Sequence, residues 1–530
     1  MGSAVTRSTR SGTRRVWRWV GVSALLAVIA LAVVAQVMLH RAAPILKGRV
    51  IETLRTRFNS RVELDEFDVS LLNGLAAEGK GLRIFAPDNV VAAGATAPLF
   101  AVDHFTFHAN LVGLFVRPMH VGTVEVEGLV IDVPPKRERQ AETAPHPKGK
   151  IKIVVDEIVC TNSRLLIESA KPGKDPKDFE LKRVEMHAVG PNQPWRYQAT
   201  LTNAIPKGEI EANGLFGPWV TEDPGASAVL GHYTFEKADL NTIKGIGGML
   251  SSTGTFDGQL NRISVQGTTQ TPDFSIDTAN HPMPLQTSFD AVVDGTTGDT
   301  YLNRVDAVLG QSHFATHGAV INIKGQGHQI DLEVNVLDGR IQDFLELAVK
   351  TQPAILTGQL VMQAKLRIRP GKQRVAEKLA MQGGFVLSAM HFTNPEWEDK
   401  VDMMSLRAEG DPKDAKPGAA DVHSTMTGRF VMDRGELRFQ SLKYTLPGAE
   451  VNLAGVYAMD GNRFDFAGTV RTQAKLSQMV ASRWKSLLLK PADPFFNKHG
   501  AGAEIPVKIT GTKGAPKFGL DLGHKNGPAS

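Results

Sequence analysis

Two histidine pairs have the spacing of metal ligands: His104 with His108 in HFTFH, and His313 with His317 in HFATH. On a helix, positions i and i+4 approach within about 6 Å and can share an ion. Both pairs lie in segments where apolar and polar residues alternate, which is the pattern of a strand. There four residues span roughly 13 Å, too far for one ion, and neither pair carries the Glu of H-E-x-x-H. They read as structural histidines. SRWK at 482–485 has the S-x-x-K spacing of acyl-enzymes, but its S-D-N and K-T-G companions are missing. GIGG at 245–248 lacks the strand–loop–helix context that cradles phosphate. Cys160 is the single cysteine, so an internal disulfide and a Cys-based zinc or iron–sulfur site are excluded. The expectation is a protein with no catalytic residues, no metal and no cofactor, and not an enzyme.

Charge narrows the class further. The chain has 530 residues and a net charge of +5, and residues 1–18 hold Arg7, Arg10, Arg14, Arg15 and Arg18 with no acidic residue. The remainder is formally neutral, 55 against 55. No basic stripe is left for phosphates, so nucleic acid is not expected as a partner. With 42% hydrophobic and 22% charged residues, the chain is too apolar to be largely disordered.

The arginines precede WVGVSALLAVIALAVVAQVML (19–39), an uncharged run long enough to cross roughly 30 Å of hydrocarbon. Trp17 and Trp19 suit its headgroup end, and Leu25, Leu26, Ile29, Leu31 and Leu39 suit the lipid. The reading is a cytoplasmic basic arm (1–18), one transmembrane helix (19–39), and a bulk exported across the inner membrane. A cleaved signal peptide ending near Val33-Val34-Ala35 is the alternative.

Beyond the anchor, Leu46, Val50, Ile51, Leu54 and Phe58 predict an amphipathic helix over 44–58. From Val62 the period becomes two, as in TVEVEGLVIDV (123–133) and DLEVNVLD (331–338). Gly recurs about once per ten residues, the spacing of one turn per short strand, which predicts around forty strands. Turns are expected at Asn73-Gly74, Asn213-Gly214, Asp257-Gly258, Asp294-Gly295 and Asp460-Gly461. PPKRERQAETAPHPKGK (134–150) reads as a linker or loop between an N-terminal β region (60–133) and a central β region (151–410), and 421–522 forms a C-terminal β region. Helical spacing is confined to RIQDFLELAVK (340–350), RVAEKLAM (374–381) and KLSQMVASRWKSLLLK (475–490).

Each such strand has one dry face that two packed sheets, a barrel or an open trough must hide. A trough would leave the lining for a ligand, and Val126, Leu332, Val334 and Val336 are candidate groove-lining residues. The order of basic arm, anchor, amphipathic helix and long alternating sequence resembles the AsmA-like superfamily (AsmA/TamB-type bacterial envelope proteins). So do 288–347 and the C-terminal stretches 428–471 and 493–522. Their matching positions include Gly435, Pro447, Gly455, Gly461, Pro494, Pro506, Gly511 and Pro516. The resemblance implies a mainly β fold: an elongated antiparallel β-sheet groove, taco-like, with a few short helices. It also implies an inner-membrane anchor, a periplasmic bulk, and phospholipid or another acyl lipid as the partner, bound or conducted between inner and outer membranes or used in regulating outer-membrane assembly. A scaffold that binds outer-membrane or envelope-assembly proteins by β-edge pairing is the alternative.

Overall fold

The computed structural model describes residues 60–70, 75–85, 98–109, 119–133, 153–167, 177–190, 193–218 and, with short gaps, 220–520, together with Val33 and seven residues between 47 and 55. Val33 and those seven are helical. The five arginines of the basic arm lie outside the described residues. So do Trp17, Trp19, Leu25, Leu26, Ile29, Leu31 and Leu39, the segment 134–150, Asn73-Gly74 and Asp460-Gly461. Among the described residues no helix is long and apolar enough to cross a membrane.

The chain divides into two compact units. The first comprises Met1–Ala170, Pro176–Leu201 and Asn213–Ala228; the second comprises Lys171–Asp175, Thr202–Ala212 and Val229–Ser530. The first contains β1 (Val62–Glu63), β2 (Glu66–Ser70), β3 (Leu75–Phe85), β4 (Pro98–Ala109), β5 (Met119–Glu127), β6 (Val130–Val133), β7 (Ile153–Ile167) and β8 (Lys177–Val189). β1 and β2 pair with β3, and β3 with β4, all antiparallel. β4 then pairs with both β5 and β6. These two lie parallel to β7, with Val126 opposite Cys160 and Ile131 opposite Leu165, before β8 returns antiparallel. The parallel step interrupts an otherwise antiparallel sheet. Parallel neighbours need a crossover connection rather than a hairpin, and Val133 and Ile153 are the ends it must join.

β9 (Trp195–Ala204) and β10 (Lys207–Phe216) contribute residues to both units. The second unit contains β11 (Ala228–Asp239), β12 (Ile246–Gly247), β13 (Met249–Gln259), β14 (Arg262–Ile276), β15 (Met283–Val293), β16 (Thr300–Leu309), β17 (Ser312–Ile323), β18 (Gly327–Arg340), β19 (Leu356–Ile368), β20 (Leu379–Phe392), β21 (Ser424–Asp433), β22 (Glu436–Leu446), β23 (Ala449–Ala458), β24 (Arg463–Thr472), β25 (Ala503–Thr512) and β26 (Ala515–Leu520). From β13 to β26 every strand pairs antiparallel with the next. The alternation is the cause. In β14 exposed Arg262, Ser264, Gln266 and Thr268 alternate with half-buried Ile263, Val265, Gly267 and Thr269, so one face is shielded and the other wet.

The described residues hold 26 strands, fewer and longer than glycine spacing predicts. The reason is that many glycines sit inside strands: Asn213-Gly214 lies within β10 and Asp257-Gly258 within β13, so neither is a turn. Asp294-Gly295 does turn the chain, with Asp294 Oδ1 accepting from the backbone N–H groups of Thr296 and Thr297 at 2.9 and 3.2 Å. Arg434 and Gly435 have φ of 50° and 78° and close the β21–β22 hairpin, the left-handed pair that tight hairpins demand.

Five short α-helices complete the unit: α1 (Ile341–Ala348), α2 (Val375–Lys378), α3 (Pro395–Glu409), α4 (Arg483–Leu489) and α5 (Asp493–Phe496). α1 falls where helical spacing predicts it. RVAEKLAM forms only α2 before Leu379 enters β20, and 475–490 is broken, with a 3-10 turn at Leu476–Gln478 ahead of α4. α3 was not expected from apolar spacing. Asn394 caps it by accepting from Glu396 N and Trp397 N at 2.9 and 3.3 Å, and Gly410 at φ 102° ends it. In an antiparallel meander alternate connections lie at the same end. α1, α3 and the α4–α5 segment follow β18, β20 and β24, so all three stand at one end of the sheet.

Candidate functional site

Ladder registers show which side chains share a face, because residues directly opposite point to the same side. One row across the second unit reads Gly254, Gly267, Phe289, Val305, Thr316, Val334, Ala364, Gly383, Phe430, Phe439, Gly455, Phe466 and Ile509. Thirteen consecutive strands contribute one residue each, and Thr316 is the only polar one. One residue along β17–β25 the row is His317, Glu333, Lys365, Gln382, Val431, Arg438, Val456, Asp465 and Thr510. The sheet therefore has an apolar face and an ionic face along these rows, although each ladder from β15–β16 to β21–β22 contains a local register shift.

The ionic face is laced with pairs. Lys365 meets Glu333 at 2.7 Å, Arg369 meets Asp433 at 2.7 Å, Lys443 meets Glu450 at 2.6 Å, and Arg367 meets Asp331. The cation beside each of Glu333, Asp433 and Glu450 donates to its carboxylate and holds it below the ordinary range. These contacts mark the solvent side. His313 lies near Asp338 at 3.8 Å and His317 near Glu333 at 3.7 Å on the same strand β17, and His104 bonds Glu78 at 2.9 Å in the first unit.

Among the described residues, helices cover the apolar face at one end. Val336, Leu360, Leu387 and Met390 form a buried cluster packed by Ile341 and Phe344 of α1. Met283 and Leu309 are buried against Leu347 of the same helix. Ala408 of α3 is enclosed with Val422, Leu446 and Ala449, with Val401 and Met404 packed beside them. Toward the other end most apolar-face residues, among them Leu332, Val334, Leu366, Met381, Phe439 and Phe466, stay half-buried. That exposure suits side chains that shield one another sideways; a sandwich core would bury them. A hollow of about 620 Å³ belongs mainly to the ionic side, where Glu333, Lys365, Arg367, Arg369 and Gln382 line it, with Leu332, Leu366 and Met381 at its margin.

Aromatic rings tighten the face. Phe385 and Phe439, and likewise Phe439 and Phe466, come from strands two apart, about 9.6 Å at ladder spacing. Yet their ring centroids are 6.4 and 5.9 Å apart. The second pair closes over Gly455, which is opposite both rings.

Of the four candidate lining residues, Leu332 and Val334 are half-buried on this face, while Val336 is completely enclosed beneath α1. Val126 is half-buried in the first unit between Phe105 and Cys160, whose thiol burial pushes up to about 11. The C-terminal family-pattern residues serve the frame. Pro447 accepts a hydrogen bond from Ser405 Oγ at 2.7 Å, Pro494 lies in the first turn of α5, and Gly511 faces Phe464. Pro506 lies in β25 before the stretch that β26 pairs, and Pro516 in β26 opposite Gly511. Phe385, Phe430, Phe439, Leu366 and Met381 were not singled out in the sequence. Their alternation is visible in MQGGFVL (381–387) and ELRFQSL (436–442), but only register aligns them into one face. Among the described residues no three His, Cys, Asp or Glu side chains group to hold a metal ion.

No protein-family model, curated protein or solved structure matches the chain.

Proposed function

We propose that this is an inner-membrane-anchored periplasmic protein that binds or conducts phospholipid acyl chains along the apolar face of its second unit, between inner and outer membranes or in support of outer-membrane assembly. The observation that carries this reading is the thirteen-strand apolar row, most of it half-buried, on a face that helices cover at one end of the strands. An acyl chain leaving a bilayer loses about 0.8 kcal/mol per methylene, so a two-chain lipid resists entering water by roughly 20 kcal/mol. A continuous oily strip removes most of that barrier without a catalytic group. Pairing of foreign strands at a sheet edge has less support. Among the described residues β25 is paired by β24 alone over Ala503 to Pro506, and Pro506 has no N–H to offer there.

The test places a photo-reactive benzophenone side chain at Leu332 or Met381, and at Glu333 or Gln382 as ionic-face controls. Lipid adducts are expected at the first two positions and not at the controls. Protein adducts at all four would favour the scaffold. Absence of lipid adducts at Leu332 and Met381 would overturn the proposal.

A further inference from the structure

Between β24 and β25 the chain leaves the sheet at its helix-bearing end and returns. Its base is pinned: Ala474 N donates to Ala408 O at 2.8 Å, and Gly502 N to Thr472 O at 2.9 Å. Ser477 donates from N and Oγ to the two carboxylate oxygens of Asp493 at 2.9 and 2.6 Å, holding α5 against the 3-10 turn. On this fixed frame Leu487, Leu488 and Phe495 stand 63%, 67% and 79% exposed. Large apolar side chains this exposed usually occur singly, as Leu337 does on the ionic face; three within nine residues concentrate exposed apolar surface on this one segment.

The charge on the segment is one-sided. Lys475, Arg483, Lys485 and Lys490 are all exposed, and Asp493, committed to Ser477, is the only acidic residue from 473 to 497. The chain beyond Arg18 is otherwise balanced, so this cationic excess is local. A protein partner would need an acidic, apolar groove. An anionic bilayer supplies both features at once: phosphate headgroups for the cations and acyl tails for leucine and phenylalanine, with aromatic rings suited to the boundary.

We infer that the α4–α5 segment is a membrane-surface contact that inserts Leu487, Leu488 and Phe495 into an anionic lipid interface while Arg483, Lys485 and Lys490 engage headgroups. This contact does not depend on acyl chains entering the sheet face, and either idea can fail alone.

The test labels the full chain carrying Cys160→Ser and Leu488→Cys with an environment-sensitive fluorophore. The labelled chain is mixed, during detergent removal, with vesicles of phosphatidylcholine alone or with added phosphatidylglycerol. A blue shift is expected that requires phosphatidylglycerol, is quenched by nitroxide-labelled lipid tails and weakens as salt is raised. Leu487→Glu with Phe495→Glu should weaken vesicle binding about tenfold or more, as should Arg483→Glu with Lys490→Glu, which leaves the apolar side chains in place. Two results would overturn the inference. One is emission that stays water-like on both vesicle types. The other is a blue shift that grows with protein concentration in the absence of lipid, which would identify a second copy as the occupant.

Discussion

Glycine opposite phenylalanine recurs on the apolar faces: Gly79 with Phe105, Gly267 with Phe289, Gly428 with Phe385, and Gly455 with Phe466. The cause is space. A methyl group added at Gly428 would lie 2.7 Å from the Phe385 ring, which lies across the neighbouring strand, and one at Gly455 would collide with the Asp465 carbonyl oxygen as well as meet the Phe466 ring at 2.7 Å. Gly384, on the ionic face, would meet only ordinary contacts at 3.5 Å or more. Gly428→Val should therefore cost about 1–3 kcal/mol and lower the melting midpoint by several degrees, while Gly384→Ala stays near neutral; thermal denaturation of the two variants checks this. These glycines were legible in the sequence only as a count. Frequency suggested turns, whereas the structure uses several as floor for aromatic rings, and that use depends on a residue one strand away.

At the scale of elements, the helices act as covers and side chains tie them down. Asp343 of α1 accepts from Ser312 Oγ at 2.7 Å and from Gln311 N at 3.0 Å, bridging the helix to the β16–β17 turn. Asp343→Ala leaves both donors without that carboxylate in a largely buried site, which should cost about 1–3 kcal/mol. Faster hydrogen exchange over Ile341–Ala348 than over β22–β24 is the expected readout, since the defect is local. α1 was readable because Ile341, Phe344 and Leu345 keep a strong helical period. α3 was not, because its buried positions are Asp402, Ser405 and Ala408, two of them polar, with Val401 and Met404 only half-buried beside them, so no apolar stripe marks the inward face. The signal that could have found it lies in its ends: Asn394-Pro395 at the start and Gly410 at the stop.

At the largest scale described, the second unit has one sheet face covered by helices at one end and mostly half-buried beyond them. Two aspartates separate the consequences. Leu332→Asp places a charge on the half-buried stretch, where it can reach water; the fold should survive and lipid co-purification should drop. Val336→Asp puts the charge in a fully enclosed site and should cost several kcal/mol, enough to abolish a cooperative melt. Loss of folding in both variants would mean that the face is ordinary core. The sequence alone determined that the chain is mainly β, that each strand has one oily side, and that RIQDFLELAVK is a helix, because period and propensity are local properties. Which oily residues line up, that β5 and β6 run parallel to β7, and that Val336 is sealed while Leu332 is not, only the tertiary structure decided. Register and helix docking join residues far apart in the chain, and no local pattern records which partner a strand will meet.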